Sequence, residues 1–171
     1  MSKVRTGLIV LATALASPAG AVVLGPHAAE CSTAGRPAML VRVVGLKSRT
    51  GTIRVQTYGG DPAHFFDKGS YLERVEVPTP ATGAVEVCMP VPRTGTYAVS
   101  VRHDVDGRGN SGASNGGGMS GNPNISLMDV LFKRKPSPAQ VSVAVTGRTM
   151  VSVVMNYMQG ASVRPIAMVV R

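Results

Sequence analysis

The chain has 171 residues and a formal charge of +9, with 44% hydrophobic residues, 16% charged residues, four tyrosines, three phenylalanines and no tryptophan. Its size suits one domain, and its hydrophobicity excludes a disordered chain, which would be too polar to bury a core. Twenty-six valines against nine leucines, punctuated by 20 glycines and 12 prolines, argue for short pleated strands and tight turns and against a helical bundle.

At the N-terminus, Lys3 and Arg5 precede an apolar run from Gly7 to Ala16, and small residues follow at Ala19 and Ala21. That order is the order of a secretory signal peptide, to which residues 1–21 are assigned. The run is too short to span a bilayer, which takes roughly 20 apolar residues, so no transmembrane segment is expected after cleavage. The expected location is therefore the periplasm or the extracellular space. Loss of Lys3 and Arg5 lowers the charge from +9 to +7. In an oxidising compartment the two cysteines, Cys31 and Cys88, are expected to pair. The bond would tie an N-terminal segment, residues 22–37, to the domain that follows.

From Ala38 the sequence alternates. Met39 to Leu46 places Met39, Val41 and Val43 on one face, and the turn KSRTG leads to TIRVQTY, where Ile53 and Val55 alternate with Arg54 and Gln56. The pair reads as a hairpin with one buried face. YLERVEV, AVEVCMPV, TYAVSVRH, QVSVAV and TMVSVVMNY continue the pattern. About seven strands with turns at this spacing predict an all-β domain, an antiparallel sandwich of immunoglobulin-like or prealbumin-like type over residues 38–158. Gly95 two residues before Tyr97 at a strand start has the form of a tyrosine corner, and the same residues suit an ordinary half-buried strand tyrosine. The glycine-rich residues 107–124 read as a long loop, and residues 159–171 as a tail or an extra edge strand.

Three constellations invite a chemical reading. In HDVDGRGN, the carboxylates of Asp104 and Asp106 with Asn110 are candidate calcium ligands, because alternate acidic residues before glycines can turn their oxygens to one point. Arg108 stands where the calcium-loop pattern needs an oxygen, so an Asx turn bonded to its own backbone is the competing reading. His103, Asp104 and Asp106 are also the candidate recognition residues beside a mobile loop, and His103 is the one candidate base for a hydrolase. No G-x-S-x-G or H-E-x-x-H motif accompanies it, and no catalytic residue is assigned. Lys133, Arg134 and Lys135 form a basic patch suited to an anionic envelope surface or to a solvated face. Aromatic platforms for stacking on single strands are scarce, so no nucleic-acid partner is expected.

The combination VRVVGLKSRTGTIRVQTY, DPAHFFDKGSYLERVEV, PRTGTYAVSVRHDVDGRG and VSVVMNY resembles the bacterial family known as domain of unknown function 2141, over about Met39 to Tyr157. The most specific part is Gly95, Tyr97, Ala98, His103, Asp104, Asp106 and Gly109. The resemblance implies an exported single-domain β-sandwich without an assigned reaction. The family's loop is typically D-x-N-x-N-G, from which Arg108 departs. The expected function is a non-catalytic envelope or ligand-binding module without a cofactor. A calcium-stabilised domain using the His103–Asn110 loop and a hydrolase stand as alternatives.

Overall fold

A computed structural model describes residues 22–166 apart from Ala34, Asn110 and Ser111; the assigned signal peptide lies outside the described residues. The strands are β1 (Val23–Leu24), β2 (Ala38–Val44), β3 (Thr52–Gly59), β4 (Glu73–Pro78), β5 (Val85–Pro90), β6 (Gly95–Asp104), β7 (Gly116–Met119), β8 (Val143–Val145), β9 (Arg148–Val154), β10 (Asn156–Gln159) and β11 (Ser162–Pro165). Two short helices, α1 (Leu127–Leu131) and α2 (Pro138–Val141), precede β8. The protein is all-β in character, as the valine pattern predicted. One sheet has the order β1-β5-β2-β9; the other runs β11-β10-β7-β6-β3-β4, with β8 paired to the start of β6.

Alternation explains the layers. Met39, Val41 and Val43 of β2, Val85, Val87 and Met89 of β5, and Val151 and Val153 of β9 face Ile53 and Val55 of β3, Val75 and Val77 of β4, and Val99 and Val101 of β6. Most of these side chains have no more than 3% exposure, and each contributes roughly 2 kcal/mol relative to an exposed position. All of this core lies within residues 22–166.

Four expectations need correction. The predicted hairpin is absent: β2 pairs with β5 and β9, while β3 pairs with β4 and β6, so residues 45–51 cross from one sheet to the other. Alternation fixes which face a strand buries but not its partner. The run 149–157 likewise switches sheets at Met155, dividing into β9 and β10. QVSVAV begins as the end of α2, because Ser137 and Gln140 form a capping box with Pro138 at the helix start. Finally, the glycine-rich 107–124 holds a strand, β7, between β6 and β10. Two pairings, β1 with β5 and β2 with β9, are parallel. Part of the expected tail forms the edge strand β11.

The glycines of β7 are explained by what lies opposite them. A Cβ on Gly116 would fall 2.3 Å from the Tyr157 ring, and one on Gly118 would fall 2.6 Å from Val153. Gly117, facing outward, would meet only the Val101 carbonyl at 3.9 Å.

The Cys31–Cys88 disulfide is formed. It fastens a short 3-10 turn, Glu30–Ser32, over Ala38 and Leu40 on the outer face of the four-stranded sheet. A closed loop of 57 residues corresponds to about 4 kcal/mol of unfolded-chain entropy. The phenol of Tyr97 donates to the Arg93 carbonyl at 2.7 Å, the geometry of a tyrosine corner.

Candidate functional site

His103 continues the inward row of Tyr97, Val99 and Val101 on β6 and has no exposure. Its Nε2 lies 2.8 Å from the Thr50 carbonyl, which only accepts, so Nε2 carries the proton. Nδ1 then accepts from the Tyr157 hydroxyl at 2.6 Å, and that oxygen accepts in turn from the Lys47 N–H at 3.2 Å. Burial pushes the imidazole below its usual range, against the pull of the Thr50 carbonyl, and pushes the Tyr157 phenol up. A neutral imidazole and a protonated phenol are what this chain of bonds requires. The network pins the 45–51 crossover to β6 and β10. Both ring nitrogens of His103 thus serve the fold, and the ring points away from the loop surface on which the sequence reading had placed it.

The acidic loop beside it is organised by its own backbone and by arginines. Asp104 accepts from the Gly109 N–H at 2.7 Å and from the Asn115 amide at 3.3 Å, with the Arg102 guanidinium 3.7 Å away. Burial favours its neutral form, but the Gly109 bond, the Asp106 side chain, Arg102 and Asn115 outweigh it and hold the carboxyl below the usual range. Asp106 accepts from the Arg108 N–H and lies 3.4 Å from its guanidinium. The Asp106 bond to the Arg108 N–H is an Asx-turn contact. No group of three metal-ligating acids, histidines or cysteines occurs among the described residues, and Asn110 lies outside them.

A feature the sequence reading missed lies on the outer face of the seven-stranded sheet. Arg102, Gly117 and Asn156 form one row across β6, β7 and β10. Above this row is a groove of about 620 Å³, floored by Gly117 and Met119, flanked by Met158 and Val163, and walled by Ile125 and Val130. Its walls are chiefly apolar. Asn122 and Asn156 at its margin are bonded to the backbone of residues 152–154. The opposite end of the same face is covered by Tyr58, Phe65 and Val141, with Phe66, Tyr71 and Met119 packed against them. The available signal was the unpaired apolar content of ISLMDVLF, next to a glycine triplet in which only two glycines are forced by packing.

The basic patch is split. Lys135 donates to the Asp67 carboxylate at 2.7 Å and to the Ala63 carbonyl at 3.4 Å, which holds that carboxyl below its usual range. Arg134 lies 5.4 Å above the Phe132 ring. Lys133 is exposed.

A family model described as an uncharacterized protein conserved in bacteria (DUF2141) matches residues 41–152. No curated protein and no solved structure matches the chain.

Proposed function

We propose, for a chain that belongs to the uncharacterized bacterial family DUF2141, that it is a non-catalytic binding module of the cell envelope whose groove over β7 takes an elongated apolar ligand of the fatty-acyl type. The observation that carries this reading is the groove itself. A cavity of about 620 Å³ lies within the range typical of small-ligand sites, which combine apolar walls with a few polar groups. The long flexible side chains of Met119 and Met158 suit a chain-like ligand that has no fixed shape. Arg102, which faces the Asp104 carboxylate at 3.7 Å, lies at the groove margin. Envelope placement is supported by the signal-like N-terminus and by a disulfide of the kind that persists in oxidising compartments.

Gly117 makes the reading testable without disturbing the fold. A leucine there fills the groove, while its Cβ meets nothing closer than 3.9 Å. Binding of the fluorescent fatty acid cis-parinaric acid is expected to saturate for the natural chain and to weaken at least about tenfold in Gly117→Leu, with the melting temperature unchanged. Equal binding by both chains contradicts the groove as the site.

A further inference from the structure

We infer that the segment from Met128 to Lys135 is a docking tip for a bilayer surface bearing anionic lipid. Among the described residues eight large hydrophobic side chains are exposed, and four of them, Met128, Val130, Leu131 and Phe132, fall within five consecutive positions. Leu131 and Phe132 are 67% and 58% exposed, and α1 contains no buried residue. A helix this short does not persist on propensity alone, and here it is held by local devices. Ser126 and Asp129 form a reciprocal capping box at its start. The Arg134 N–H bonds to the Asp129 carbonyl at its end, and Lys135 anchors the following chain to Asp67. The segment is thus fixed in a form that displays apolar side chains to solvent.

Charge selects the partner. Lys133 and Arg134 stand directly beside Leu131 and Phe132, on a chain whose formal charge remains +7 without residues 1–21. Apolar side chains flanked by cations insert at the boundary between headgroups and acyl chains, with the long basic side chains reaching back to the phosphates. Lys133 also holds a φ of 51°, in the left-handed region that favours glycine at a helix end. A glycine would be the relaxed residue for the backbone. The lysine is explained by what its side chain does.

That backbone angle provides a variant that separates docking from folding. The chain begun at Val22, which keeps every core residue among those described, is sedimented with vesicles of phosphatidylcholine alone or mixed with phosphatidylglycerol. Retention is expected only on the mixed vesicles, falling as salt rises. Lys133→Gly, which relaxes the backbone, and Arg134→Gln are each expected to weaken retention about fivefold. Leu131→Ser with Phe132→Ser is expected to weaken it about tenfold or more. All variants should bind cis-parinaric acid as the natural chain does, because none of these residues lines the groove, and Gly117→Leu should keep its vesicle binding. The two sites therefore fail separately. Equal retention on both vesicle types, no retention on either, or loss of a solution dimer in the Leu131/Phe132 variant would overturn the inference, the last by assigning the face to a second copy of the chain.

Discussion

On the four-stranded sheet the outward residues Ala38, Leu40 and Cys88 have 1%, 8% and 1% exposure beneath the N-terminal turn that the disulfide holds down. On the seven-stranded sheet the outward row of Arg102, Gly117 and Asn156 lies open under a groove. The first face is closed by a segment that has little reason to stay without its covalent bond, since β1 is two residues long. The second is closed at the end where Tyr58, Phe65 and Val141 pack, and elsewhere its floor is Gly117 and Met119, bordered by Arg102 and Asn156. One sandwich therefore spends a cover and a disulfide on one side and leaves the other side accessible, which makes the open side the place to look for a ligand.

Removing the cover has the largest expected effect. Cys88→Ala should cost about 4 kcal/mol and lower the melting temperature by roughly 10 °C. Hydrogen exchange should accelerate first in residues 23–33 and along β5, which pairs with β1. A melting temperature that does not move would mean the cover holds without its bond.

Next in size is the contrast within β7. Gly116→Ala drives a methyl into the Tyr157 ring and should cost about 1–3 kcal/mol, whereas Gly117→Ala, facing the groove, should stay within about 0.5 kcal/mol. Equal costs measured by urea denaturation would erase the distinction between packed and open faces.

These contrasts also mark where the sequence was legible. Most valine-rich runs announced their buried face, and the single pair of cysteines after a signal-like N-terminus announced its bond. Partners were not legible, because Met39, Val41 and Val43 would look the same in a hairpin or in a crossover. β7 was hidden for a different reason: glycines have no side chains with which to show alternation, and their cause lies in Tyr157 and Val153, more than 30 residues away. The inward placement of His103 was legible. The residue shares parity with Val99 and Val101, so the strand pattern already set it in the core, while its neighbour Asp104 drew attention to the loop.

A smaller effect tests that buried histidine, which ties the 45–51 crossover to β6 and β10. Because burial holds the His103 imidazole below its usual range, the unfolded chain takes up the proton first as the pH falls. The stabilising contribution is complete above about pH 6.5 and is lost as pH falls through the folded-state value. Thermal melts between about pH 7 and about pH 5 should show declining stability, and His103→Gln, although less stable at neutral pH, should show a flatter profile. Asp104, whose carboxyl is held below the usual carboxylate range, acts in the same direction at more acidic pH. A parallel decline in both chains would assign the pH dependence elsewhere.

The smallest expected effect is none. Asp104 and Asp106 already accept from Gly109, Asn115 and Arg108, so calcium or a chelator should leave the melting curve unchanged. A rise with calcium would show that the loop rearranges to bind it and would move the functional end of the molecule away from the groove.

The open face itself is tested most directly by titrating the isotopically labelled protein with decanoate and following its backbone amides by NMR. Saturable shifts concentrated at Gly116, Gly117, Gly118, Met119, Met158 and Val163, with the amides of Leu40 and Cys88 under the disulfide cover unmoved, are the predicted result. Shifts scattered over both faces, or none in the groove at saturating ligand, would contradict the account.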